Sequence, residues 1–471
     1  MNDSISILLR TLEFPGTRLL FLALLPLMAK AESADLIVTA RYVVTMDAQQ
    51  HLIENGAVAV RGERIVGVGP RAEIDRRFQA RERLDKGDVI LAPGLINTHT
   101  HAAMSLFRGI ADDLNLQDWL TKFIFPAEKK NVTAEFVRWG TRLACLEMLL
   151  GGTTTYTDMY YFEDTVATTT REAGMRGVLG ETVIGFPVSD NPTPAAALKY
   201  AEGFVRRFHN DPLIVPAVAP HAPYTNSDET LKACRTMALR YNAPVLIHLS
   251  ETKKENDDSF HDHKMSPTRR LDSLGFFRGR TIVAHAVWVN DGDIAILKRT
   301  NTGVAHCPSS NMKLASGAAP VVKMLDQGLN VGLGTDGPAG SNNDFDLFEE
   351  MDLAAKLQKL ITRDPRALPA RTALAMATIM GAKALGMEKE IGSLETGKRA
   401  DFMVVRIDRP HAIPMYDVYS QLVYALKSSD VTDVVVNGRV VVRDARCLTI
   451  DAATTLAKAK EYGMKVAASV K

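Results

Sequence analysis

Two hydrophobic rhythms divide the chain. Toward both ends, apolar residues come in strand-like runs: ADLIVTARYVVTM from Ala34, then AVAVRGERIVGVG, and near the carboxyl end ADFMVVRI and DVVVNGRVVVRD. The second run turns at Arg61-Gly62-Glu63, and the last folds on Asn437-Gly438, residue types that accept the positive φ angles of a tight hairpin. Neither terminal piece has enough strands to be stable alone. The pattern therefore predicts one small β-sandwich domain built from both termini, residues 32–92 plus 389–471.

The middle, residues 93–388, alternates short apolar runs with helical stretches. The runs are VILAPGLINTHTH, GTTTYTDMY, GVLGETVIG, LIVPAVAPH, APVLIHLSE, TIVAHAVWV, GVAHCPSSN and LNVGLGTDG. Nearly continuous apolar character fits parallel strands buried on both faces, and strands alternating with helices predict an α/β fold. A doubly wound open sheet is one solution and a (β/α)8 TIM-like barrel another. The polar residues favour the barrel. His99, His101, His221, His248, His285 and Asp336 each end a predicted strand, and a barrel gathers such ends on one face. The stretch 346–360, DLFEEMDLAAKLQKL, has apolar residues at helical spacing and reads as packing.

Composition narrows the partner. The 471 residues are 46% hydrophobic and 24% charged with a net charge of +1. These values exclude disorder and leave no global field to attract nucleic acid or anionic lipid. A small-molecule substrate is expected, without nucleic acid and without a membrane span, and a homo-oligomer is left open. Cys145, Cys234, Cys307 and Cys447 lie far apart and read as free thiols. Residues 19–28, LLFLALLPLM, follow Arg10 and Arg18 and precede Ala29-Lys30-Ala31. That order is a signal peptide's, spanning residues 1–31. Translation from Met1 implies export; a start at Met28 implies a cytoplasmic protein.

His99-Thr100-His101 closes the first predicted barrel strand. Residues i and i+2 of a strand share a face, so both imidazoles can reach one ion. His248 ends a later strand and Asp336 another. Three nitrogens and a carboxylate suit one divalent ion, zinc with an open water position, although Fe2+ fits the same donors. Glu251, just past His248, is placed to move protons to and from an activated water; the competing reading is a surface residue in the solvated first turn ETKKE. His285 is expected to stabilise the attacking oxygen. The fourth strand offers no lysine or glutamate to bridge a second metal. His51, His209 and His411 read as bland, and His261 and His263 as an incidental pair in an exposed loop. No GxGxxG or Walker pattern marks a nucleotide cofactor.

The segments LINTHTHAAMSLFRG, HLSETKKE, VAHAVW and LGTDGPAGSNN together resemble the amidohydrolase superfamily, nearest to the methylthioadenosine/S-adenosylhomocysteine deaminases and their triazine-hydrolase relatives. The likeness runs from about Ala34 to Gly438. It implies the barrel with a β-sandwich, and His99, His101, His248 and Asp336 as metal ligands. It also implies Glu251 as proton shuttle, Asp336 assisting it, His285 as oxygen stabiliser and His221 in contact with the substrate base. Trp119 and Glu128 match segments that line the pocket, the glutamate accepting from the ribose diol. One departure stands out: Glu181 falls where S-adenosylhomocysteine enzymes use arginine, and at the mouth it would repel a substrate carboxylate. Arg171 and Arg176 precede that strand and are expected to point away.

The resulting expectation is hydrolytic deamination of an aminopurine nucleoside such as 5′-methylthioadenosine or adenosine, with S-adenosylhomocysteine disfavoured. The alternatives are hydrolysis of another C–N or C–Cl bond, as in an s-triazine or cyclic amide, and a non-catalytic barrel scaffold.

Overall fold

Eight strands, Leu95–Thr100, Thr153–Tyr160, Arg176–Val183, Ile214–Pro220, Val245–Leu249, Thr281–His285, Gly303–His306 and Val331–Leu333, form one sheet in sequence order. All neighbouring pairs are parallel. The computed structural model describes residues 31–469; the expected leader lies, but for Ala31, outside them. Each of the eight apolar runs supplies one barrel strand, and the first also supplies Val89–Pro93, which belongs to the second sheet. The eighth returns to the first: Thr98 Oγ1 donates to Leu333 O at 2.8 Å, Asp336 N to His99 O at 3.0 Å, and Thr100 bridges Asp336. The (β/α)8 barrel is therefore closed, and the open sheet is excluded.

Strand alternation sorts the side chains into two layers. Ile96, Met159, Val178, Ala217, Ala219, Leu246, Ile282 and Ala305 fill the barrel interior. Leu179, Val183, Ile247, Val283 and Val304 face the helices. Helix Ala134–Leu150 shows how the outer layer is specified. Thr133 caps its first turn by accepting from Phe136 N, and Phe136, Val137, Ala144, Cys145, Met148 and Leu149 are buried. Burying each large apolar side chain of this kind contributes about 1.5–3 kcal/mol. Helix Leu347–Thr362 begins where expected, on the Asp346 cap.

Both termini build a second sheet of nine strands. Glu32–Val44 pairs with Leu52–Arg61 along one edge; its other edge splits between Phe78–Asp85 and Val89–Pro93. Phe402–Arg406 then pairs with Val89–Pro93, bringing in the carboxyl-terminal strands. Separate apolar clusters form around Val38, Val58, Leu91 and Phe402, and around Ile37, Ala57, Ala59 and Phe78. The two predicted hairpins touch. Gly438 has φ +78°, and a Cβ there would lie 2.0 Å from Gly62 O, so glycine is required twice over. The last helix, Ala452–Ser469, leaves the sheet and packs on the barrel side, where Tyr462 meets Phe136 edge to face.

A buried ion pair joins the two units. Arg176, the first residue of the third barrel strand, donates Nε to Asp401 Oδ2 at 3.0 Å, and Asp401 Oδ1 also accepts from Asn437 N. Both side chains are almost fully buried. Arg176 thus sits at the far end of the barrel from the strand carboxyl ends, and Arg171 pairs with Asp211, both away from the mouth as expected.

Candidate active site

The histidines meet because the strand ends turn sharply. Ser250, His285 and Asp336 have φ angles of +50°, +71° and +64°. Left-handed backbone at a residue with a Cβ costs on the order of 1–3 kcal/mol and clusters at functional sites. Here it aims Asp336 and His285 across the carboxyl-terminal mouth. Ligand atoms of His99, His248, His285 and Asp336 all lie within 4.8 Å of one another. His101 completes the group: its Nε2 is 3.3 Å from Asp336 Oδ1 and 3.3 Å from His248 Nε2.

Hydrogen bonds behind the rings fix which nitrogen faces inward. His101 Nδ1 is 2.7 Å from Met159 O, and His248 Nδ1 is 2.7 Å from His221 O. A carbonyl only accepts, so each Nδ1 carries the hydrogen and each Nε2 presents a lone pair. Two lone pairs then face each other across 3.3 Å, an arrangement that repels unless a cation or proton lies between them. His99 Nε2 is buried 3.2 Å from Asp336 Oδ1 without a hydrogen bond. Converging, outwardly braced imidazole nitrogens beside a carboxylate are the donor set of a divalent metal.

The electrostatics agree with that donor set. Burial pushes His99 down to about 4 and His248 well below the usual imidazole value, which keeps them neutral and able to ligate. Burial opposes charge on Asp336 too, but the adjoining His101 and His99 imidazoles outweigh it and hold its carboxyl well below the usual range. His101 is the exception. Burial lowers it, yet Asp336 overrides this and raises it to about 9. A proton on His101 and a metal ion are two ways of relieving the same conflict.

Glu251 is buried beside this centre, with Oε2 3.9 Å from His285 Nε2. Burial raises its pKa, and His285 partly offsets that. Its loop is held by Glu255, whose carboxylate accepts from Ser250 N and Glu251 N at 2.9 and 2.8 Å. The ETKKE turn is therefore buried in part. The following segment is corrected: His261 and His263 lie on helix Lys253–His263, not on a loop. Thr252 caps that helix, and Lys253–Asp257 and Lys254–Asp258 pairs support a sequence with little apolar patterning. Neither histidine lines the cavity over the centre.

Two residues of the short helix Pro308–Lys313 escaped the sequence reading. Ser310 Oγ donates to Asp336 Oδ2 at 2.7 Å, and Asn311 Oδ1 accepts from His285 Nδ1 at 3.0 Å. Asn311 so leaves the His285 Nε2 lone pair facing the cavity. Glu350 anchors this turn by accepting from Ser309 N. His306 was also passed over; it ends the seventh strand but is buried with both ring nitrogens unpartnered and does not line the cavity.

The cavity over the centre encloses about 50 Å³ of water-accessible space. Trp119 lines it with its Nε1 tied to Ala339 O at 2.8 Å. His221 lines it too, its Nδ1 3.1 Å from Thr225 Oγ1. Glu128 is not a helix-surface charge: it is 5% exposed, and Tyr160 and Tyr161 donate to its two oxygens at 2.8 and 3.4 Å. Burial pushes it up to about 7, against the Tyr160 hydrogen bond. Glu181 requires a correction. It faces the helix layer, accepting from Glu163 N and Asn191 Nδ2, while its neighbour Thr182 lines the cavity. One residue of strand register decides the face, so Glu181 cannot repel a substrate at the mouth.

Comparison with known proteins places this arrangement. Residues 90–441 match the Amidohydrolase family. A 5-methylthioadenosine/S-adenosylhomocysteine deaminase from Thermodesulfovibrio yellowstonii is 48% identical over 88% of this chain and 95% of its own length. The crystal structure of an adenosine deaminase from Xanthomonas campestris with bound zinc superposes with a TM-score of 0.91 at 38% identity, over 93% of this chain and 100% of that one. The zinc complex of an atrazine chlorohydrolase from Arthrobacter aurescens is 26% identical with a TM-score of 0.84, over 91% and 100%. The chain belongs to the amidohydrolase family.

Proposed function

We propose that this protein is a metal-dependent hydrolytic deaminase of adenine nucleosides, with 5′-methylthioadenosine and adenosine preferred. One observation carries the reading. A single cavity has the histidine–aspartate cradle and Glu251 on one wall and a buried carboxylate, Glu128, on another. Glu128 has acceptor capacity left beyond its two tyrosines, which suits the two hydroxyls of a ribose. The deaminase names of the relatives support the same chemistry.

His99, His101, His248 and Asp336 would hold a divalent ion, zinc or iron(II), which would supply a water acidic enough to lose its proton near neutrality. The chain's own groups do the rest. Glu128 fixes the sugar and His221 the base, while Trp119 closes the cavity. Asp336 and Glu251 take the water's proton as its oxygen adds to the ring carbon bearing the amino group. Glu251 delivers a proton to the ring nitrogen and then to the departing ammonia. His285, whose Nε2 lone pair is turned inward, accepts the hydrogen of the added hydroxyl and so holds that oxygen in place.

No lysine or arginine lines the cavity among the described residues. The carboxylate of S-adenosylhomocysteine therefore meets no cation, and that substrate is expected to be poorer. This argument replaces repulsion by Glu181. The test is ammonia release by the zinc-loaded protein from 5′-methylthioadenosine, adenosine, S-adenosylhomocysteine and a chlorotriazine. Fast deamination of the first two supports the reading. Dechlorination of the triazine with no ammonia from any nucleoside overturns it in favour of the atrazine-type reaction.

A further inference from the structure

A second cavity adjoins the first and has no role in the reaction described above. It encloses about 340 Å³ of water-accessible space and shares Leu116 and Tyr224 with the reaction cavity. Its other walls include Thr252, Trp288, Leu314 and Ser316. Thr252 follows Glu251, and Trp288 lies in the loop after His285, so this groove borders the wall that carries the proton donor. Those loops follow the fifth and sixth barrel strands. Tyr160 ends the second, which stands opposite the sixth in a closed ring of eight. The groove and the Glu128 site therefore lie on opposite sides of the centre.

The lining is built rather than incidental. The Trp288 ring is 39% exposed yet held in place, its Nε1 donating to Ser316 O at 2.7 Å and its carbonyl accepting from Asn256. Ser316 lines the groove at only 6% exposed, and its hydroxyl, one side-chain rotation away from the groove, is shielded from solvent with no hydrogen-bond partner. A buried hydroxyl left unpaired costs on the order of 1–3 kcal/mol, which a ligand atom relieves. Tyr224, 43% exposed on the single turn Pro223–Thr225, is part of the partition between the two cavities.

We infer that this groove receives a substituent on the leaving amine, so that the enzyme also releases amines R–NH2 from N6-substituted adenine nucleosides. The inference rests on the proposed deaminase reading. In such a nucleoside the sugar on N9 and the amine on C6 lie at opposite ends of the purine. With the sugar hydroxyls at Glu128, the amine and whatever it bears point to the Glu251 wall. R is a chain of a few atoms, apolar where it passes Tyr224 and Trp288, ending in a hydrogen-bonding group that meets Ser316 Oγ. The reaction balances as ammonia release does. A water oxygen bonds to C6, the C6–N bond breaks with its electron pair leaving on nitrogen, Glu251 carries a water proton to that nitrogen, and the base is left as the 6-oxo form. No oxidant or reductant is involved.

The test compares kcat/KM of the metal-loaded full chain for adenosine, N6-(2-hydroxyethyl)adenosine and the isomer bearing the same group on C2, following by chromatography the 6-oxo nucleoside formed from each, inosine or its C2-substituted form, and the ammonia or ethanolamine released. The N6 compound is expected within tenfold of adenosine. Trp288→Ala and Ser316→Ala are each expected to lower the ratio of N6 compound to adenosine at least tenfold, a ratio from which losses of folding or metal cancel. Adenosine turned over with the N6 compound a thousandfold slower contradicts the groove assignment alone, as does a ratio unmoved by both substitutions or acceptance of only the C2 isomer. Silence with every nucleoside contradicts the deaminase reading and this inference with it.

Discussion

Asn311→Leu separates two roles that His285 could hold. Asn311 Oδ1 is the partner of His285 Nδ1 at 3.0 Å, and both residues are about 99% buried. Leucine has nearly the same size but no acceptor. The Nδ1 hydrogen is then unpaired in a dry site, at a cost of about 1–3 kcal/mol. The ring escapes by moving its hydrogen to Nε2 or by rotating, and either removes the lone pair from the cavity. If that penalty appears in the barrier, kcat falls by about 5- to 150-fold. KM for adenosine is expected to stay within about threefold, because Glu128 and His221 hold the nucleoside, and metal content is expected to stay at one equivalent. Asn311→Asp keeps an acceptor for Nδ1 and is expected to recover most of the lost rate. The assay is steady-state deamination with metal analysis of the same samples. Loss of metal in step with rate would refute the reasoning, since it would make His285 a ligand, as its place within the 4.8 Å cluster also allows.

Other expectations follow from single contacts. Glu251→Gln preserves shape but not proton transfer; kcat should fall about 10²–10⁴-fold with metal retained, and an unchanged kcat would remove Glu251 from the mechanism. His248→Ala should lower metal content and activity together, and a fully metallated active variant would sink its assignment as a ligand. Burial raises Glu128 to about 7, and its protonated form loses acceptor capacity, so KM for adenosine should climb as pH falls below about 7; in Glu128→Gln that slope should vanish. Asp401→Ala strands the Arg176 guanidinium in the interface between barrel and sheet. Breaking a buried pair costs about 3–5 kcal/mol, so calorimetry should show Tm lower by about 3–5 °C for a chain of this length, with kcat unaffected; an unchanged Tm would contradict the load assigned to this pair.

What the sequence disclosed and what it hid differ by mechanism. Barrel strands are buried on both faces, so each of the eight announced itself as an apolar run, and the polar residue ending a run stood out against it. That is why His99, His101, His248, His285 and Asp336 were legible before any geometry. The positions that brace them were not. Ser310 and Asn311 are short polar residues in HCPSSN, a composition equally suited to a loop, and only their contacts with Asp336 and His285 give them a role. Glu128 was legible only through the resemblance, because Lys129 and Lys130 beside it give the segment the character of a charged helix surface, and only the Tyr160 and Tyr161 contacts show it buried. Glu181 was misread because a residue-level alignment fixes a position along a strand more firmly than the face it presents. Helix Lys253–His263 was missed because charge pairs and a cap, rather than an apolar stripe, specify it.

The central claim is that one metal ion in the histidine–aspartate cradle makes this chain a nucleoside deaminase. The most direct measurement strips the protein with a chelator and follows ammonia release from 5′-methylthioadenosine as zinc or iron(II) is added back. Activity absent from the stripped protein and rising linearly to a plateau at one equivalent is the predicted result. Full activity without metal, or a fully metallated protein that releases no ammonia from 5′-methylthioadenosine or adenosine, would contradict it.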